Sequence, residues 1–130
     1  MNTFIYDLIE QFDARKGDEN AAASILSRAK DSRYYYALSP DRVNVLEGFP
    51  WNKTMKVLET GAAYGVYAGL AARVACWDIT DPQEEALDLV RRRYPELSNG
   101  PGSVIRLLKD GTAEADAYDA VVISDRKSVV

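Results

Sequence analysis

Glu59, Gly61, Gly65 and Asp78 are the residues whose types and spacing bear on chemistry. The first three lie in Lys56-Val57-Leu58-Glu59-Thr60-Gly61-Ala62-Ala63-Tyr64-Gly65, where an apolar run ends in an acid and a turn with two glycines follows. Glycine serves such a turn in two ways: it takes backbone angles closed to other residues, and without a Cβ it lets a ligand lie on the main chain. Asp78 stands seventeen positions beyond Gly61, near the roughly twenty at which nucleotide-type folds place the acid that holds a ribose. A cis-diol offers two donors, and one carboxylate accepts both. Two plainer readings stand beside these: Asp78 as a helix cap or solvated loop acid, and the glycine turn as a tight strand-to-helix connection.

What the sequence lacks narrows the chemistry further. There is no histidine, so a Ser-His-Asp or Cys-His site cannot form within the chain. Histidine-ligated zinc is excluded, and one cysteine cannot build a thiolate cage. No carboxylate spacing argues for an oxygen-ligated metal, so no metal is expected. Acid–base work would fall to carboxylates, lysines or tyrosines. The single cysteine, Cys76, lies in an apolar run and cannot form an internal disulfide; it reads as a buried small hydrophobe in a cytoplasmic protein.

The 130 residues suffice for one domain, and 47% hydrophobic with 28% charged is an ordinary globular mixture. A net charge of −4 sets up no general attraction for nucleic acid. Arg91, Arg92 and Arg93 form a basic run that reads either as a local patch or, more commonly, as the solvated face of a helix. No apolar run is long enough to span a bilayer, and Met1-Asn2-Thr3-Phe4 lacks the regions of a signal peptide.

Strands and helices alternate around the glycine turn. Phe4, Ile5, Leu8, Ile9 and Phe12 recur at helical spacing, giving a helix from Thr3 to Phe12. A second helix is expected from about Glu19 to Lys30, capped by Asp18. Tyr34-Tyr35-Tyr36-Ala37-Leu38 suits an extended segment, its tyrosines either packed or walling a ligand. Ser39-Pro40 opens a short helix from Asp41 to Glu47. Met55 to Thr60 reads as a central parallel strand, Tyr64 to Ala72 as the helix after the loop, and Arg73 to Asp78 as the second strand ending in its acid. A helix from Asp81-Pro82 runs to about Tyr94. Ser103 to Leu108 and Tyr118 to Ile123 complete the strands.

The pattern Glu59-x-Gly61-x-Ala63-x-Gly65 resembles the Glu/Asp-x-Gly-x-Gly-x-Gly motif of the class I S-adenosylmethionine-dependent methyltransferases, with Ala63 replacing the middle glycine. Asp78-Ile79-Thr80-Asp81-Pro82 resembles that family's acid-apolar-Ser/Thr segment, and Tyr118-Asp119-Ala120-Val121-Val122-Ile123-Ser124-Asp125 its fourth strand. A dinucleotide fingerprint would want glycine at Ala63 and Val66 as well, which disfavours a nicotinamide domain. The resemblance implies S-adenosylmethionine as cofactor. Gly61, Ala63 and Gly65 would then form the turn, and Glu59 would hold the amino-acid end of the ligand or order the loop. Asp78, with Ile79, would take the ribose and Asp110 the adenine; no catalytic residue is assigned, and Asp125 is only a candidate acid. The implied fold is α/β: a partial Rossmann-like parallel sheet, strand order 3-2-1-4, with helices on both faces. The organisation is a helical N-terminal extension over residues 1–50 and the ligand-binding domain over 51–130.

Tyr36-Ala37-Leu38-Ser39-Pro40-Asp41-Arg42-Val43-Asn44-Val45-Leu46 is similar to the lead-in of bacterial methyltransferase domains found in larger proteins concerned with surface polysaccharide. That implies a small-molecule or glycan acceptor. The family's later strands are not found, so the sequence reads as a fragment, one domain of a longer protein, or a shortened fold. The fourth strand then becomes an exposed edge, expected to be covered by its own tail or by a second copy. The competing expectation is a methyltransferase-like binding or assembly module without catalysis.

Overall fold

A computed structural model describes residues 3–29, 31–39, 44–99, 102–109 and 117–123. Four parallel strands form one sheet: β1 (Lys56–Thr60), β2 (Cys76–Asp81), β3 (Ile105–Lys109) and β4 (Ala120–Ile123). Their order is β3-β2-β1-β4, as the resemblance implied. Asp110, Pro40, Asp41 and Asp125 lie outside the described residues.

Alternation along the strands divides the sheet into two faces. Val57, Trp77, Ile79, Ile105 and Val122 point to one face, where they are buried against Ala86, Leu87 and Val90 of α5 (Glu84–Arg93) and against Leu70 and Ala71. Each such aliphatic or aromatic side chain contributes about 1.5–3 kcal/mol by leaving water. Outside α5 lies a further layer of three helices, α1 (Thr3–Ala14), α2 (Ala21–Arg28) and α3 (Ser32–Leu38). Phe4, Leu8, Phe12, Ile25 and Leu38 from these helices close over Leu89 of α5. The N-terminal helices are therefore packed onto the sheet's own helical cover. Two one-turn helices complete the set, α4 (Asn44–Glu47) and α6 (Pro95–Ser98).

The structure departs from the sequence expectations in four places. Tyr34–Leu38 is helical, not extended: the Asp31 carboxylate accepts the Arg33 amide at 2.8 Å and starts α3, which overrides the strand preference of aromatics. The expected Glu19–Lys30 helix is shorter, and Asp18 caps the Asn20 amide in the turn before it (2.8 Å). No α-helix follows the glycine turn; 3-10 turns occupy Ala63–Gly65 and Ala68–Arg73. Finally, β2 begins and ends three residues later than expected, so Asp78 lies inside the strand and Asp81 ends it.

Candidate functional site

The loop after β1 is locked to the end of β2. Gly61 N–H donates to the Thr80 carbonyl at 2.8 Å, and Ala62 N–H donates to Asp81 Oδ2 at 2.9 Å. The other carboxylate oxygen of Asp81 accepts the Gln83 amide at 2.8 Å and leads into α5. Gly61 has φ 85, in the left-handed region that favours glycine. Ala63, Tyr64 and Gly65 follow with φ of 47, 59 and 80. Left-handed backbone costs a residue with a Cβ roughly 1–2 kcal/mol, so Ala63 and Tyr64 are held in this shape against their own preference. Gly65 is there by necessity, since a Cβ on it would meet Arg93 Cδ at 3.1 Å.

Glu59 and Asp78 occupy opposite faces of the sheet. Asp78 pairs in register with Leu58, the neighbour of Glu59, and adjacent residues of a strand point to opposite sides. Glu59 is fully buried on the helical face, where Trp77 Nε1–H donates to its Oε1 at 2.9 Å. Ile79 is buried on that same face, in the core. Glu59 therefore lies on the helical face near the end of β1, two residues before Gly61.

Asp78 is also fully buried, but among polar partners. Arg106 forms a fork on it, Nε to Oδ1 at 2.7 Å and Nη2 to Oδ2 at 2.6 Å. Tyr118 Oη–H donates to Oδ2 at 2.5 Å, and Cys76 Sγ–H to Oδ1 at 3.1 Å. Burial pushes the Asp78 carboxyl up, but the bonds from Arg106, Tyr118 and Cys76 outweigh it and hold it below the usual range. Burial and the bond to Asp78 push the Tyr118 phenol up to about 12. Burial, then the same carboxylate, raises the Cys76 thiol. A carboxylate has about four lone-pair sites, and here all are taken. Asp78 therefore lies within the strand rather than at its end, with its carboxylate bonded inside the chain.

Asp81 is the acid that ends the strand instead. It is the last residue of β2, half-buried at the C-terminal edge of the sheet, and each oxygen accepts one bond from a main-chain amide. It stands twenty positions beyond Gly61, which matches the spacing for a ribose acid better than Asp78 does. An acid inside a strand breaks the apolar run at Asp78, so the run alone ends three residues before the strand does.

The tyrosine cluster and the arginine run also resolve. Tyr34 packs edge-on against Phe4 with ring centres 4.9 Å apart, while Tyr35 is 53% exposed. Arg91 pairs with Asp88 and Glu84, and Arg92 with Asp13. Arg93 turns inward instead. Among the described residues no cluster of His, Cys, Asp or Glu is suited to a metal ion, and no helix is long and apolar enough to cross a membrane.

Four parallel strands in this order, with a left-handed glycine turn after β1 and an acid ending β2, form a Rossmann-like α/β fold. A solved methyltransferase structure shares that fold. Phosphoethanolamine N-methyltransferase 1 of Haemonchus contortus, in complex with phosphoethanolamine and S-adenosylhomocysteine, matches with TM-score 0.57 and 15% identity over 81% of this chain and 25% of that one. A SAM dependent methyltransferase from Aquifex aeolicus matches with TM-score 0.49 and 19% identity over 77% of this chain and 55% of that one. The chain thus spans 25% and 55% of the lengths of these two structures. No family model and no curated protein matches the sequence.

Proposed function

We propose that the chain is the S-adenosylmethionine-binding part of a methyltransferase. One observation carries the reading: the loop and the acid converge at the edge where the strand order reverses. In the order β3-β2-β1-β4, the chain builds outward from β1 on one side and returns to its other side. Open parallel sheets bind ligands outside the strand ends at that switch point. Gly61 supplies bare backbone, Ala63 follows it, Gly65 lets the turn pack closely on Arg93 and Tyr94, and Glu59 orders the turn from below through Trp77.

The donor set fits this cofactor. Asp81 offers the edge carboxylate for a ribose diol, taking the role that spacing alone gave to Asp78, and Asp110 follows β3 as the acid for the adenine amino group. When bound, the cofactor supplies a methyl group on a sulfonium, and this chain's share in transfer is positioning. The acceptor is a small molecule or a glycan in a bacterial polysaccharide-related protein, acting in the cytoplasm. Residues 1–50 serve as a helical extension to the binding domain of residues 51–130. Val121 and Ile123 of β4 are 43% and 38% exposed, which supports pairing of this strand with a second copy.

A second reading, a binding module without transfer, draws on Ala63 and Tyr64, which put two side chains into the left-handed turn. Titration with S-adenosylhomocysteine, with NAD as control, tests the binding that both readings need. Trp77, bonded to Glu59, is the fluorescent reporter. Ligand at one hundred times its dissociation constant stabilises the fold by about 2.7 kcal/mol. No shift at millimolar ligand overturns the cofactor site; binding without transfer to any acceptor favours the module.

A further inference from the structure

We propose that Arg93 and Tyr94 are positioning residues for the ligand loop, and that through Arg93 the N-terminal helices set the loop's affinity. The proposal rests on the reading of that loop as a cofactor site. Two successive carbonyls of the left-handed turn are each held by a side chain from the end of α5. Arg93 Nη1 donates to the Tyr64 carbonyl at 2.7 Å, and Tyr94 Oη–H donates to the Gly65 carbonyl at 2.9 Å. The same two side chains press on the turn from the side: a Cβ at Gly65 would lie 3.1 Å from Arg93 Cδ and 3.5 Å from Tyr94 Cε2. The turn is bonded and packed at once, so it has no free direction in which to relax toward right-handed backbone.

Arg93 is itself fixed by the outer helices. Its Nη1 also donates to the Ala37 carbonyl of α3 at 2.9 Å. Its guanidinium lies 5.6 Å from the Phe12 ring of α1 and 5.5 Å from the Tyr94 ring, within range for cation–π attraction. One planar group therefore touches α1, α3 and the loop. Arg91 and Arg92, its neighbours in sequence, take carboxylates. Arg93 takes main-chain carbonyls, the partners expected of a group whose task is to fix backbone.

The test uses the full chain, labelled with 15N, and two readouts: amide exchange without ligand, and titration with S-adenosylhomocysteine. Gly65 and Val66 amides, which bond within the turn to Ala62 and Ala63 carbonyls, report the loop; Val57 and Leu58 amides report β1. Tyr94→Phe keeps the ring and removes the bond. It is expected to speed exchange at Gly65 and Val66, leave β1 unchanged, and weaken binding about tenfold, equivalent to about 1.4 kcal/mol. Adding Ala63→Gly should restore much of the loss, since glycine takes left-handed φ unaided. Arg93→Lys should fall between wild type and Arg93→Met. Unchanged loop exchange in Tyr94→Phe and Arg93→Met overturns the clamp. Faster loop exchange with unchanged affinity overturns its part in binding, and equal acceleration in β1 overturns positioning in favour of general destabilisation. If the wild type binds no ligand, the cofactor reading fails, and the clamp stands or falls on exchange and its rescue by Ala63→Gly.

Discussion

The Asp81 carboxylate accepts the Ala62 amide at 2.9 Å, joining the end of β2 to the turn after β1. An acid that both shapes the loop and faces the sheet edge should be separable from one that only holds strands together. Asp81→Asn keeps an acceptor for Ala62 but loses the charge and one diol-accepting site. Its expected effect is at least tenfold weaker binding of S-adenosylhomocysteine, about 1.4 kcal/mol, with a smaller stability loss of about 1 kcal/mol from the Gln83 amide bond it gives up. Asp78→Asn should do the reverse, costing about 2 kcal/mol of stability because bonds to a charged group are worth about 1.5–3 kcal/mol. Calorimetry and thermal melts on both variants decide the matter. Binding lost at Asp78 with Asp81 silent would return the diol role to Asp78.

Gly65→Ala addresses the turn. The φ of 80 and the 3.1 Å approach to Arg93 Cδ leave an alanine strained and crowded. A loss of about 1–3 kcal/mol is expected, against a small effect at Gly48, where a Cβ meets nothing within 4 Å. Denaturant melts of the two variants measure the difference; equal midpoints would mean the turn is not held as described.

Trp77 and Glu59 form the buried pair beneath the loop. Trp77→Phe removes ring volume from the core and leaves a fully buried carboxylate oxygen without this donor. The expected cost is about 2–4 kcal/mol. Glu59→Gln retains an acceptor for the indole and should cost less than half as much. A Glu59→Gln variant as unstable as Trp77→Phe would show that the charge, not the bond, matters there.

Stability should fall at both ends of the pH scale through one cluster. Asp78 has its folded pKa below its unfolded value, so the stability it gives is present above about pH 4 and is lost as pH falls through the folded pKa. Tyr118 has its folded pKa raised to about 12. Its contribution is therefore present below the unfolded value of about 10 and lost as pH rises toward the folded one. Urea midpoints of wild type and Tyr118→Phe between pH 9 and 12 test the alkaline arm. A slope that survives Tyr118→Phe would assign that arm to other groups.

The strands were legible in the sequence because each is an apolar run bounded by turn residues, and their order followed from the resemblance carried by the glycine turn. Glu59, Gly61 and Gly65 could be placed from their own neighbours. Asp78 could not, because its burial depends on Arg106 and Tyr118, 28 and 40 positions away. Asp81 was hidden for the opposite reason: Asp-Pro reads locally as a helix start, and its bond to Ala62 crosses 19 positions. Tyr34 to Leu38 carry aromatic strand propensity, yet one carboxylate at Asp31 tips them into helix. Arg93 looked like one member of a charge run. Only the packing of α1 and α3 separates it from Arg91 and Arg92.

That guanidinium bridges segments far apart in the chain, reaching Ala37 across 56 positions and Tyr64 across 29. Long-range closures carry the greater entropy cost and form after local ones have begun to offset it. The pairing of β1 with β2 spans only 20 positions and does not wait for them, whereas the turn does. In refolding, β1, β2 and α5 should therefore acquire protection first, and ligand-binding competence should emerge only when the outermost helices have docked.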